Sequence, residues 1–238
     1  MSTRSSLLMF CALLSTAGGG APIRAEPSPE SDRYSVTIVP GDFVPAVTNK
    51  YFALKPGSKF TFRNKAGNER IEVAVTDESK EIMGVAATVV RVKEWKNETL
   101  VEETRDWYAQ DKGGTVWYFG EAVDNYKDGK LANHKGSWEA GVDGAKPGII
   151  MLAEPRVGET YRQEYYKGKA EDMGTVMALN ATVSVPLGRY DNCLQVRDWS
   201  RIEPDNEYKY YCPAVGFLTM EQSVGGGDKL ELVEMTPN

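Results

Sequence analysis

Aromatic rings and carboxylates cluster around one turn signal, and they are the first candidates for chemistry. Trp107-Tyr108 and Trp117-Tyr118-Phe119 flank Asp111-Lys112-Gly113-Gly114, a hairpin-forming stretch. With the turn closed there, Tyr108 faces Trp117 and Trp107 faces Tyr118. Alternation along a strand puts Trp107, Ala109, Val116 and Tyr118 on one face, an apolar set that suits a core. Asp106, Tyr108, Gln110, Thr115, Trp117 and Phe119 fall on the other. Rings mixed with polar groups suit a ligand-facing surface, so Asp106, Tyr108, Trp117 and Phe119 are the candidate ligand-binding residues. Plain cross-strand packing of aromatics is the competing explanation.

The other reactive residues form no recognisable catalytic or metal set. The single histidine, His134, stands beside Lys135 in a polar segment, and a histidine zinc site needs more ligands. A Ser-His-Asp triad has no G-x-S-x-G elbow to start from. Gly225-Gly226-Gly227 precedes a strand, the wrong context for a phosphate-binding loop. Asp124, Tyr126, Asp128 and Gly129 take the first, third, fifth and sixth places of a calcium loop. Tyrosine fails at the third, and Lys135 stands where the closing glutamate belongs, so a hairpin turn is expected. A glycosidase needs two carboxylates facing one cleft. Glu102, Glu103, Asp106 and Glu121 could be chosen, but their spacing matches solvated strand positions. The expectation is no catalytic residue, no metal, no cofactor and no enzymatic activity.

These groups have to be positioned by strands. Glu69-Arg70-Ile71-Glu72-Val73-Ala74-Val75-Thr76 alternates with period two, Ala86 to Trp95 is rich in β-branched residues, and Asp128-Gly129 marks a tight turn. Ala170 to Leu179 is the best short-helix candidate. At the N-terminus Arg4, the apolar run Leu7 to Leu14 and the small residues up to Ala25 have the order of a secretory signal peptide, residues 1–25. Eight apolar residues are too few for a membrane span, which needs roughly 20. The protein is therefore expected outside the cytoplasm, periplasmic or extracellular. Residues 26–50 begin polar and proline-bearing and read as a disordered leader. A net charge of -6 argues against nucleic acid as a partner. Cys193 and Cys212 remain after processing and could form a disulfide in an oxidising compartment. A tight turn at Glu203-Pro204-Asp205-Asn206 would set Cys193 opposite Gly216 rather than Cys212.

The chain also repeats itself. Gly84 precedes Trp95 by the same interval as Gly188 precedes Trp199, and Val92-Lys93-Glu94-Trp95 matches Val196-Arg197-Asp198-Trp199 class for class. Lys55 to Phe60 resembles Arg156 to Tyr161, and Trp107-Tyr108 answers to Tyr210-Tyr211. Ordered similarity of this kind marks repeated supersecondary units. The expected fold is all-β, an antiparallel meander duplicated into two halves, residues 51–135 and 156–238. A Gly/Pro-rich joint, 136–155, connects them. The halves could join as one open curled sheet, a half-barrel, or pack as two lobes.

Tyr51 to Phe60 resembles the opening of uncharacterised secreted bacterial β-rich proteins that begin "YFPLKxGxxW". Tyr210 to Phe217 is similar to their later "YYAPGVG" strand-turn, with Cys212 in place of the usual alanine. The resemblance carries no catalytic residue. It implies an architecture similar to the periplasmic lipoprotein carriers of the Lol system, open half-barrels with a greasy concave face. The functional expectation is a non-enzymatic exported binding protein that holds an apolar or amphipathic small molecule on a curved sheet. A structural module that binds an envelope protein is the alternative, and a carboxylate-based hydrolase comes third.

Overall fold

The structure, a computed structural model, describes residues 34–204 and 206–236. The expected signal peptide, residues 1–25, lies outside the described residues.

Alternating apolar and polar residues, broken by glycine and asparagine at the reversals, fold as antiparallel strands. In chain order they are β1 (Phe43–Val44), β2 (Val47–Asn49), β3 (Phe52–Leu54), β4 (Lys59–Asn64), β5 (Glu69–Ile82), β6 (Val85–Lys96), β7 (Thr99–Asp111), β8 (Val116–Lys127) and β9 (Lys130–Asn133). They continue with β10 (Trp138–Glu139), β11 (Lys146–Met151), β12 (Thr160–Arg162), β13 (Glu164–Tyr165), β14 (Asp172–Val185), β15 (Gly188–Ser200), β16 (Asn206–Cys212), β17 (Phe217–Ser223) and β18 (Lys229–Thr236). The main sheet runs β12-β14-β15-β16-β17-β18-β4-β5-β6-β7-β8-β11-β13. It curls into a barrel that is nearly closed, with a seam where β12 and β13 meet. The two-lobe arrangement is excluded, because β18 pairs directly with β4 from Leu230↔Asn64 to Thr236↔Lys59.

The matched windows occupy corresponding places. Gly84 to Trp95 and Gly188 to Trp199 each lead through one strand, β6 and β15, and each strand follows a 14-residue partner. Gly57 donates its N–H to Val75 O at 2.9 Å while Val75 N–H donates to Ser58 O at 3.0 Å. Gly158, Val176 and Glu159 make the same two bonds at 2.9 Å each. Both glycines have φ near +90°, 88° and 87°, a conformation that a side chain resists. This explains the glycine shared by Lys55-Pro56-Gly57 and Arg156-Val157-Gly158.

Three expectations are corrected. Residues 34–50, assigned to a disordered leader, include β1 and β2 and pack on the barrel: Val47 is buried, and the Tyr34 hydroxyl donates to Pro147 O at 2.8 Å. The joint 136–155 is not strand-free, since β10 and β11 both pair with β8. Its glycines interrupt the pattern without preventing these ladders. The helix candidate at Ala170–Leu179 falls mainly within β14, where pairing to β15 overrides a weak local preference.

The hairpin of β2 and β3 plugs one end of the barrel. Phe52 is fully buried between Tyr108 and Tyr211, the two tyrosines aligned by the repeat, with ring centroids at 5.2 and 6.3 Å, and Phe217 lies at 5.0 Å. Outside, β4 to β7 present Lys59, Arg63, Arg70, Lys93 and Arg105. No helix among the described residues is long and apolar enough to cross a membrane.

Cys193 and Cys212 form a disulfide. The register differs from the expected one: Leu194 pairs with Tyr211 and Trp199 with Asn206, so the two cysteines stand directly opposite. The loop between β15 and β16 is longer than a tight turn, and this shifts the pairing. With the bridged positions 19 apart in the sequence, the bond should contribute about 3 kcal/mol by restricting the unfolded chain. Reduction should lower the melting temperature by several degrees. An unchanged melting curve with fully titrated thiols would show that the bridge adds nothing.

Candidate functional site

The hairpin that the sequence singles out forms, but one residue away from the expected register. Asp111 closes a longer turn, donating its N–H to Thr115 O at 3.0 Å, and Tyr108 pairs with Tyr118 rather than with Trp117. A bulge at Phe119 then sets Trp107 opposite Gly120 and Asp106 opposite Glu121. A slip of one residue exchanges faces. Tyr108, expected on the more exposed face, is 1% exposed and stacks on Tyr118 with centroids 4.8 Å apart. Asp106 and Phe119 are also fully buried, so these three do not form a solvent-facing surface. Trp117 alone of the four candidates is partly exposed, and its indole N–H donates to Asp111 Oδ2 at 2.8 Å. Trp107 and Tyr118 are buried, as expected.

Ladder partners share a face, so the inward-pointing residues can be followed around the wall. Val90, Val92 and Glu94 on β6 face Asp106, Thr104 and Glu102 on β7, and Asp106 faces Glu121 on β8. In the other half Val196 and Asp198 on β15 face Lys209 and Glu207 on β16, and Lys209 faces Glu221 on β17. Glu94-Glu102 and Asp198-Glu207 are thus corresponding acidic pairs of the two repeated segments. The interior combines an aromatic end, beneath the Phe52 plug, with an acidic belt.

Burial dominates the electrostatics of that belt, because a low-dielectric surrounding disfavours the charged form. It pushes Glu94 up to about 8, an effect opposed by Lys96 and reinforced by Glu69 and Glu207. Burial raises Glu102 to about 9, with Glu94 and Asp106 adding repulsion. Asp106 rises to about 7 by burial, although hydrogen bonds from Tyr118 (2.8 Å) and Thr104 (3.2 Å) favour its carboxylate. Glu121 and Glu221 are held well above the ordinary range, again chiefly by burial. Lys209, 2% exposed, is the cation set among them, 2.9 Å from Asp198 Oδ2 and 3.2 Å from Glu207 Oε1. Burial alone would lower its pKa, but Asp198, Glu207 and Glu221 together more than reverse this and hold it protonated. No three His, Cys, Asp or Glu side chains among the described residues converge as a metal site would.

An outward-facing groove of about 570 Å³ lies between the main sheet and β10. Trp107 forms its floor, with Lys80, Arg105, Ser137 and Glu139 around it. The Lys80 ammonium sits 3.6 Å from the Trp107 ring centroid and 2.6 Å from Glu139 Oε2. Trp107 is 6% exposed, so its ring face is capped by the Lys80–Glu139 pair and opens to the groove only where that pair moves aside. His134, in the polar segment after β9, is exposed and lies 2.8 Å from Asp124 Oδ1. Asp128-Gly129 forms the β8–β9 turn, in keeping with the hairpin reading of the calcium-like stretch.

Comparison with family models, with curated proteins and with solved structures finds no match to this chain.

Proposed function

We propose that the protein is an exported, non-enzymatic binding protein that holds an amphipathic ligand against the outer wall of the barrel. The observation that carries this reading is the groove over Trp107. When the Lys80–Glu139 pair swings to exchange partners with a polar head, the Trp107 ring that it caps can take an apolar chain. The disulfide supports an oxidising compartment and therefore export. The charged outer face of β4 to β7 speaks against burial of this wall in lipid. The interior carboxyls favour binding over hydrolysis, because Glu102 and Asp106 sit inside the wall at 5% exposure or less, where a sugar chain does not reach. A partnership with an envelope protein is the second reading. The β9 edge favours it: all four of its residues are exposed, Leu131 among them, and it pairs with β8.

The test is a fluorescence titration with dodecylamine, dodecanoate and a lysophosphatidylcholine below their micellar concentrations. At least one should bind saturably. Trp107→Ala should weaken that binding by about tenfold or more, and Trp117→Ala, outside the groove, should leave it unchanged. Equal loss in both variants, or no saturable binding by any probe, would overturn the groove as the site.

A further inference from the structure

Exposed apolar side chains scattered singly over a surface carry no message, but three of them meet at one place. Val39 (51% exposed), Met83 (44%) and Val142 (50%) come from three separate loops: the turn before β1, the β5–β6 turn and the β10–β11 loop. Pro40 Cγ lies 3.0 Å from where a Cβ on Gly84 would stand, and Met83 Cγ lies 3.2 Å from the same position on Gly141. Met83-Gly84 is thus set between Val39-Pro40 on one side and Gly141-Val142 on the other. All six residues are exposed.

The fold makes this turn project. β6 pairs with β7 only as far as Thr88↔Tyr108, and beyond that point β1 takes the edge of β7 at Val44↔Gln110 and Phe43↔Asp111. On β5 the register shifts between Val75 and Ser79. The end of the hairpin, residues 79–88, therefore parts from the wall as a two-stranded ladder from Ser79↔Thr88 to Ile82↔Val85. Ile82 and Val85 are buried, which anchors the projection and leaves Met83 at its tip. Met83 has a φ of +52°, the left-handed backbone that Asn, Asp and Gly accept with least strain. A methionine is a costly residue for that turn, and its apolar side chain is what the turn displays.

We propose that the Val39–Met83–Val142 tip docks on a zwitterionic lipid surface, dipping its apolar side chains below the headgroups. Three half-exposed side chains offer far less than the roughly 800 Å² per partner that a stable protein interface buries, which argues against a second copy of the chain. Shallow entry into the boundary between headgroups and acyl chains needs only such a small apolar tip. Each loop also carries one exposed acid beside its apolar residue: Asp42, Glu81 and Asp143. Lys112, whose N–H donates to Asp42 O at 2.8 Å, is a cation at the edge of the group. An acidic collar is repelled by anionic lipid and tolerated by headgroups that carry both signs. Lys80 and Glu139, which line the Trp107 groove, stand a few residues from Met83 and Gly141, so docking brings the groove close to the lipid. The proposal goes beyond the binding reading and does not depend on it, since contact with lipid uses the three loops alone.

Co-sedimentation with vesicles of phosphatidylcholine and phosphatidylethanolamine tests the docking. Saturable binding is expected, and weaker binding at low salt when phosphatidylglycerol is added to the vesicles. Met83→Asp combined with Val142→Asp should lower vesicle affinity by about tenfold or more. Val157→Asp, which removes a valine 64% exposed in the loop before β12, should leave it unchanged. Aspartate accepts the backbone that residue 83 adopts, so the double variant should fold, and Val39→Asp on the third loop gives a separate reading if it does not. Binding of the dodecyl probes should survive in the double variant and vesicle binding should survive in Trp107→Ala, so failure of the tip and failure of the groove are told apart. No vesicle binding, equal binding by wild type and double variant, or tighter binding to the anionic vesicles would overturn the proposal. So would a dimer of the wild type that the double variant abolishes, since a second copy would then cover the tip.

Discussion

Raising the pH from 5.5 to 9 should lower the melting temperature of the full chain by about 10 °C or more. The acidic belt is the cause. In the unfolded chain its carboxyls ionise near pH 4, whereas burial moves Asp172 to about 6, Asp106 to about 7, Glu94 to about 8 and Glu102 to about 9. Each folded-state pKa lies above its unfolded value, so the folded protein holds protons more tightly. The stability this provides is complete below about pH 4 and is lost as pH rises through the folded values. Holding one proton tenfold more tightly in the fold than in the unfolded chain corresponds to about 1.4 kcal/mol. Because the groups repel one another their losses do not simply add, and several kcal/mol in total is the expectation. A flat profile, or one that rises towards pH 9, would mean that the belt is solvated and ionised in the fold.

Lys209→Met should be among the most damaging single substitutions. Lys209 stands between Asp198 at 2.9 Å and Glu207 at 3.2 Å, deep in the wall. Methionine fills similar space but leaves buried carboxylates without their cation, a loss typically about 3–5 kcal/mol when one partner of a buried pair is removed. The loss should shrink at pH 5, where Glu207, raised by burial, takes up a proton more readily and needs the lysine less. Urea denaturation at pH 7 and pH 5 checks both points. A neutral or stabilising Lys209→Met at pH 7 would show that the interior carboxyls are already uncharged without it.

Much of the fold is legible in the chain. Period-two alternation in β5, the β-branched run of β6 and the Asp128-Gly129 turn are local signals, and the fold uses each of them locally. The glycine-to-tryptophan interval is readable because one strand fills it in both halves. Registers are less so. One extra residue in the Asp111–Thr115 turn moves Tyr108 and Asp106 inside, and a longer loop before Asn206 brings Cys193 opposite Cys212. Sequence marks where a turn falls more reliably than how many residues it uses.

The acidic belt escapes a sequence reading for a different reason. Carboxylates on strands are assigned to solvent, which is the ordinary outcome for ionised groups. Their phase is nevertheless visible: Glu94 is in step with Val90 and Val92, Asp106 with Tyr108, Glu221 with Phe217 and Lys209 with Tyr211. An acid in phase with apolar neighbours on several successive strands is a sign of an interior carboxyl. The Trp107 groove has no such signal, since Lys80, Trp107 and Glu139 are brought together only when β10 folds back on β8.

Native mass spectrometry of the protein purified from its own cells tests the proposed binding role most directly. The expected result is a folded chain carrying one amphipathic molecule, with that adduct lost from Trp107→Ala purified in the same way and kept by Trp117→Ala. A wild-type chain that carries nothing and forms no one-to-one complex with dodecylamine, dodecanoate or lysophosphatidylcholine would contradict it.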